Sequence, residues 1–288
     1  MKTNKAVIQL SIIIAVLSLI AAGSGVFWQG QGEPIPFTTM RGETVSLYGR
    51  GLYQFDTVST ATQGIAQDAV TLILGIPLLI TGIVLARKGS LRGQLLLTGT
   101  LGYFLYTYTS YVFLVAFNQL FLLYVVLFSL LLFAFILAMK ELNPDVIISH
   151  FSDKFPRRGV ATFMIILAGF LTMAWLSRIV PATIAGTPPF GLESYTTLVI
   201  QGLDLGIIVP VSALTAVLLW RSQPWGYTLA SVVLIKGLTM GAALIAMIVG
   251  QVLGGHEISL VEIIMFSGIA IAALVFSLMM FRSVQETR

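Results

Sequence analysis

Long apolar runs, separated by short polar or glycine-containing stretches, dominate the chain. They lie at 6–28, 69–86, 94–115, 119–139, 159–180, 198–219, 226–249 and 259–281. Each is long enough, or nearly so, to cross a hydrocarbon core about 30 Å thick at about 1.5 Å per residue. The runs are continuous rather than alternating, which selects helices over strands. Only helices and closed barrels leave no backbone polar group unsatisfied in lipid. The pattern therefore predicts an all-α fold, a polytopic transmembrane helical bundle of about eight spans. The first run follows Met1-Lys2-Thr3-Asn4-Lys5 but exceeds the about 7–15 residues of a signal-peptide core, and Trp28 is a poor cleavage-site residue. It reads as a retained span.

Two stretches between the runs carry patterns of their own. In the long segment 29–67, Glu43–Tyr48 and Leu52–Asp56 alternate around Gly49-Arg50-Gly51. This predicts a small extracytoplasmic β-hairpin, which has to rest on the bundle because an isolated two-stranded hairpin is marginal in water. In 141–158, Asn143-Pro144-Asp145 reads as a helix cap with proline at the first position. Ile147, Ile148, Phe151 and Phe155 fall on one stripe beyond it. A short cytoplasmic helix in the membrane interface is expected, with Arg157 and Arg158 toward the headgroups; an ordinary linker is the alternative.

Composition agrees with the pattern. Hydrophobic residues make up 57% of the 288 positions, charged residues 10%, and the mean hydropathy is +0.95. A soluble domain carries about 25% charge, so soluble enzymes, disordered chains and nucleic-acid-binding domains are excluded. The net charge of +4 and the pI near 9.4 are explained by topology. With the N-terminus inside, Lys2, Lys5, Arg87, Lys88, Arg92, Lys140, Lys154, Arg157, Arg158, Arg221, Arg282 and Arg288 all fall on the inner side. Only Arg41, Arg50 and Arg178 fall outside. This positive-inside bias predicts a multi-pass protein of the plasma (inner) membrane with both termini cytoplasmic.

Shifting the sequence by 133 positions aligns the second and sixth runs without a gap. Pro77 falls on Pro210, Val84-Leu85 on Val217-Leu218, Lys88 on Arg221 and Gly93 on Gly226. The chain therefore reads as two four-span halves, 1–140 and 159–288, joined by the 141–158 linker. Four spans per half give both halves one orientation, a 4+4 parallel repeat about an axis along the membrane normal.

Charges inside the apolar runs supply the candidate chemistry. Lys236 lies about ten residues, or about 15 Å, from the inner end of its run, too deep for easy snorkelling. A cation there costs about 2.5–3.5 kcal/mol on insertion scales, so it is either neutral or paired with an acid. Asp204 on the neighbouring run is the best partner, and Glu262, about one turn into the last run, competes. Tyr103, Thr107 and Ser110 share one helical face and Tyr108 and Tyr111 another. The first face reads as a polar wall toward Asp204 and Lys236, the alternative being an interfacial aromatic belt. The repeat puts Tyr103 on Lys236, and Asp68 stands three residues out of register with Asp204. Pro77 and Pro210 each free a backbone carbonyl one turn earlier.

These residues admit a solute, ion or proton site, a structural ion pair, or a lysine in a wet crevice; covalent use of Lys236 as a Schiff base lacks every other element of such a pattern. His150 and His256 fall on opposite sides of the membrane, and no cysteine, P-loop, nucleophile elbow or dinucleotide fingerprint is present. No metal or cofactor is expected. The leading expectation is a carrier or channel for a small solute or ion, using Lys236, Asp204, Glu262, Tyr103, Thr107 and Asp68. A sensor or accessory subunit, binding a lipid or a protein partner through 29–67, is the alternative. A membrane-embedded lipid-modifying enzyme using Glu262 or Asp204 is a third.

The strings Leu91–Leu97, Tyr103–Tyr111, Val199–Gly206 and Pro224–Tyr227 resemble an uncharacterised family of bacterial eight-span integral membrane proteins, over most of the chain. The resemblance implies a bacterial inner membrane and lends no functional residues.

Overall fold

A computed structural model describes residues 3–253 and 259–286, the side chains of Leu253, Val261 and Glu262 excepted. The chain is mostly helical. Helix α1 (Lys5–Phe27) is followed by strands β1 (Ile35–Thr38) and β2 (Thr44–Leu47), then by α2 (Val58–Val70), α3 (Ile76–Arg87), α4 (Leu91–Phe113) and α5 (Phe121–Glu141). A short α6 (Pro144–Ser149) leads to α7 (Arg157–Ala185), α8 (Val199–Leu203), α9 (Val209–Trp220), α10 (Pro224–Leu253) and α11 (Leu260–Ser283). Helices α2 and α3 are joined by a π turn at Thr71–Gly75, and α8 and α9 by another at Asp204–Ile208. Among the described residues, seven helical segments are long and apolar enough to cross a membrane, with Val58–Arg87 and Val199–Trp220 each counted as one. The protein is a multi-pass membrane protein by that measure.

The long helix outside that set is α4. It has 23 residues, most of them buried, and packs against α3, α5 and α10. Gln94, Thr98, Thr100 and Thr107 lower its hydropathy, and all four are buried. A helix that faces protein on all sides keeps polar groups that a lipid-facing one has to discard. Close approach to α10 depends on small residues: a Cβ on Gly99 would lie 2.5 Å from Ile235.

The buried apolar residues form two main clusters. One joins α1, α3, α4 and α5; the other joins α7, α9, α10 and α11 with the start of α4 and the 142–155 linker. Both ends of the described chain lie at one end of the bundle. Thr3 donates to the Ala86 carbonyl, the Asn4 N–H to Glu141, and the Gln285 N–H to the His150 carbonyl.

The segments around the two π turns match at a spacing of 133 residues. Each π turn runs into a helix with proline at its second position, Pro77 or Pro210. The missing proline N–H removes one rung of the α ladder, and widening the preceding turn accommodates the loss. At the far ends of α3 and α9, Gly89 and Ser222 both take positive φ (82° and 55°). Gly93 and Gly226 then pack on the preceding helix ends: an added Cβ would lie 2.5 Å from the Ala86 nitrogen or 2.7 Å from the Leu219 nitrogen.

Two expectations are corrected. The hairpin pairs β2 with β1, Ile35 opposite Leu47 and Thr38 opposite Thr44, not with residues 52–56. Leu52 and Tyr53 are consecutive and both buried, which a period-two strand does not allow. Residues 48–56 instead curl into a compact turn, the Tyr48 N–H donating to the Asp56 carbonyl and the Gly49 N–H to that of Gln54. In the linker, α6 stops at Ser149, and Arg157 points into the bundle rather than toward headgroups. Its guanidinium donates to the carbonyls of Leu219 (2.6 Å) and Trp220 (3.0 Å) and to Ser222 at the end of α9, where Leu219 also accepts the Ser222 N–H.

Candidate functional site

Asp204 opens the second π turn and is 7% exposed. Its two oxygens face different helices. Tyr106 of α4 donates its hydroxyl to Oδ1 at 2.7 Å, and Trp175 of α7 donates Nε1–H to Oδ2 at 2.9 Å. Lys236 of α10 places Nζ 4.0 Å from the centre of the Tyr106 ring. The acid and the amine expected to pair are thus brought to one place, with Tyr106 joining them through its hydroxyl at one end and its π face at the other. Among the described residues no carboxylate forms an ion pair with Lys236, and none of its three N–H donors meets an acceptor. The side chain of Glu262, and all of His256, lie outside the described residues.

Tyr103 and Thr107 do not face that centre. Gln67 of α2 donates to the Tyr103 hydroxyl (2.6 Å) and to Thr107 (3.1 Å), and Thr71 sits 3.0 Å from the same tyrosine oxygen. Helical geometry explains the correction: about 100° of rotation separates Tyr106 from Thr107, so one faces Asp204 and the other α2. Thr71 and Tyr103 stand 133 residues before Asp204 and Lys236. An uncharged pair thus stands 133 residues before the charged one.

Asp68 is buried on α2, three residues before the first π turn. Tyr53 donates to Oδ2 at 2.5 Å and Tyr111 to Oδ1 at 2.9 Å. Helix α1 reaches this carboxyl through Gly25, where a Cβ would lie 1.7 Å from Oδ2. Tyr53, Tyr106, Trp175 and Gln67 were not singled out in the sequence. Trp175 lies near the end of its run, where interfacial tryptophan is routine, and Tyr106 falls on neither of the hydroxyl faces read for its run.

The loops opposite the termini form a cap. Asp56 accepts from the Ala116 N–H and the Tyr195 hydroxyl, both at 2.8 Å, which joins the 48–57 turn to the α4–α5 loop and to the loop after α7. Burial pushes the Asp56 carboxyl up to about 6, against the lowering by those two bonds. Arg41 donates to the Glu193 and Tyr195 carbonyls and Thr57 to the Glu193 carboxylate. Among the described residues no three His, Cys, Asp or Glu side chains gather in a metal-binding group.

Compared with known protein families, with curated proteins and with solved structures, the chain matches none.

Proposed function

We propose that the protein is a membrane carrier or channel for a small solute or ion, with Lys236, Tyr106, Asp204 and Trp175 as its charged centre. The observation that carries this reading is an ammonium that meets no acceptor among the described residues. A structural ion pair offsets its desolvation by direct, well-bonded contact. Here the amine meets the face of the Tyr106 ring and the carboxylate its hydroxyl, and among the described residues the three donors of Lys236 meet no acceptor. Ionisable groups within a membrane mark solute and ion pathways by default. A solute rich in acceptors, such as a small anion, suits a free ammonium whose charge Asp204 balances.

The architecture supporting this reading has eight spans. Both ends of the described chain lie at one end of the bundle, and counting α4 as an eighth span is in keeping with that. Matched π turns, prolines and helix ends at a spacing of 133 support two four-span halves, 1–140 and 159–288, in a parallel repeat. Charge bias puts the end carrying both termini in the cytoplasm, and the family resemblance favours a bacterial inner membrane. Parallel repeats are frequent in carriers.

The test is uptake of labelled chloride, acetate and inorganic phosphate by liposomes containing the purified protein. Uptake of at least one above empty liposomes is expected, falling about tenfold in Lys236→Ala and in Asp204→Asn. No uptake of any probe, or uptake unchanged by both substitutions in folded protein, overturns the reading.

A further inference from the structure

We propose that Asp68 is a proton-binding site, a buried carboxyl whose tyrosine partners accommodate it with or without its proton. The argument rests on donor counting. A tyrosine hydroxyl has one hydrogen to donate and lone pairs that accept. The Tyr111 hydroxyl has two acceptors within reach, Asp68 Oδ1 at 2.9 Å and the Gly64 carbonyl at 3.1 Å. When Asp68 is ionised, Tyr111 donates to Oδ1. When a proton from water binds Oδ1, the new O–H donates to the Tyr111 oxygen, and the Tyr111 hydrogen turns to Gly64. Tyr53 donates to Oδ2 in both states. One O–H bond forms, no other covalent bond changes, and the oxygens of Asp68, Tyr53 and Tyr111 keep a partner in either state.

Asp204 lacks this freedom. Its Oδ2 faces the Trp175 N–H, which donates only, and its Oδ1 faces a tyrosine whose ring carries the Lys236 charge. Around Asp68, by contrast, every titratable side chain in electrostatic contact among the described residues is a tyrosine. They are Tyr53 from the cap, Tyr103, Tyr108 and Tyr111 from α4, and Tyr124 from α5. Helix α1 contributes Gly25, and α2 contributes Gln67 beside it. Among the described residues no cation is in electrostatic contact with Asp68, so a buried charge here is expensive. Tyr53 belongs to the cap and is 2% exposed, so it covers the site from the side opposite the termini.

Proton binding at Asp68 stands whether or not the Lys236 centre carries a solute, and its test needs no transport. Infrared spectra of the purified full chain, titrated with pH, report protonated carboxyl groups through their C=O stretch. One such band is expected to disappear on alkalinisation. It is lost in Asp68→Asn and kept in Asp204→Asn and Asp56→Asn. Tyr53→Phe, which removes the donor to the carbonyl oxygen, shifts the same band to higher wavenumber and serves if Asp68→Asn fails to fold. A spectrum in which neither substitution alters a carboxyl band overturns the proposal.

Discussion

The ammonium of Lys236 lies 4.0 Å from the centre of the Tyr106 ring, and the hydroxyl of that ring donates to Asp204. A single aromatic side chain from α4 thus meets a cation from α10 and an anion from the π turn before α9. The two contacts use different parts of the residue, so substitution separates them.

Tyr106→Phe keeps the ring under Lys236 and removes the bond to Asp204. A hydrogen bond to a charged group contributes about 1.5–3 kcal/mol, and a desolvated cation–π contact about 2 kcal/mol. Tyr106→Phe is expected to destabilise by the first amount, and Tyr106→Leu by about 2 kcal/mol more. Unfolding of the detergent-purified protein measures both. Equal losses for Phe and Leu mean that the ring contact contributes nothing.

Gly25 and Gly23 lie two residues apart on α1 and predict opposite outcomes. A Cβ on Gly25 would overlap Asp68 Oδ2 at 1.7 Å and crowd the Tyr53 hydroxyl at 3.0 Å; one on Gly23 meets nothing within 4 Å. Gly25→Ala is expected to abolish folding or cost several kcal/mol, of order 3 or more. Gly23→Ala is neutral or stabilising by up to about 1 kcal/mol. Yield and melting temperature of the pair distinguish the contact from a general intolerance of α1.

Asp56 makes the cap sensitive to pH in a stated direction. Its carboxyl is 1% exposed and rises from 3.8 to about 6 in the folded protein. Between those values the folded state holds more protons than the unfolded one, so stability falls as pH rises. The contribution, about 3 kcal/mol at most, is fully present below about pH 4 and gone above about pH 6. Asn can accept the Ala116 and Tyr195 bonds without ionising, so Asp56→Asn is expected to remove this slope. The difference in melting temperature between the two proteins across that window is the measurement; parallel curves contradict it.

Glu286 works in the opposite sense at the other end. Partial burial raises its carboxyl, but the Ser90 hydroxyl, the Arg92 and Leu91 N–H groups and the Arg92 charge outweigh that and hold it below its ordinary range. Its contribution is present above the ordinary glutamate range and lost as pH falls through the depressed value. The carboxylate caps the start of α4, and a helix cap is worth about 1 kcal/mol. Glu286→Gln is expected to lower the melting temperature at neutral pH and to leave it unchanged in acid.

The long runs made the helices legible, because a segment that crosses lipid has to be apolar throughout its length whatever its neighbours. The 133-residue spacing was legible too, since a proline leaves its mark on the backbone without help from distant residues. What could not be read was direction. The face carrying Tyr103 and Thr107 was visible as a stripe, yet nothing in α4 alone says that this stripe meets Gln67 while Tyr106, one residue from Thr107, meets Asp204. The hairpin shows the same limit: alternation marked β2 correctly, but burial of the adjacent Leu52 and Tyr53 against the bundle took residues 52–56 out of strand geometry.

Membrane-spanning helices, and the positions of Lys236 and Asp204 along their runs, are properties of the sequence alone, the helices being fixed by the cost of polar groups in oil. The partners of those residues depend on how helices rotate and cross, and that is set by contacts between segments far apart in the chain. Gly99 against Ile235, and Gly25 against Asp68, decide which side chains come within bonding distance. Only packing could separate a carboxylate facing a donor-only indole, Asp204, from a carboxyl beside a hydroxyl able to turn, Asp68.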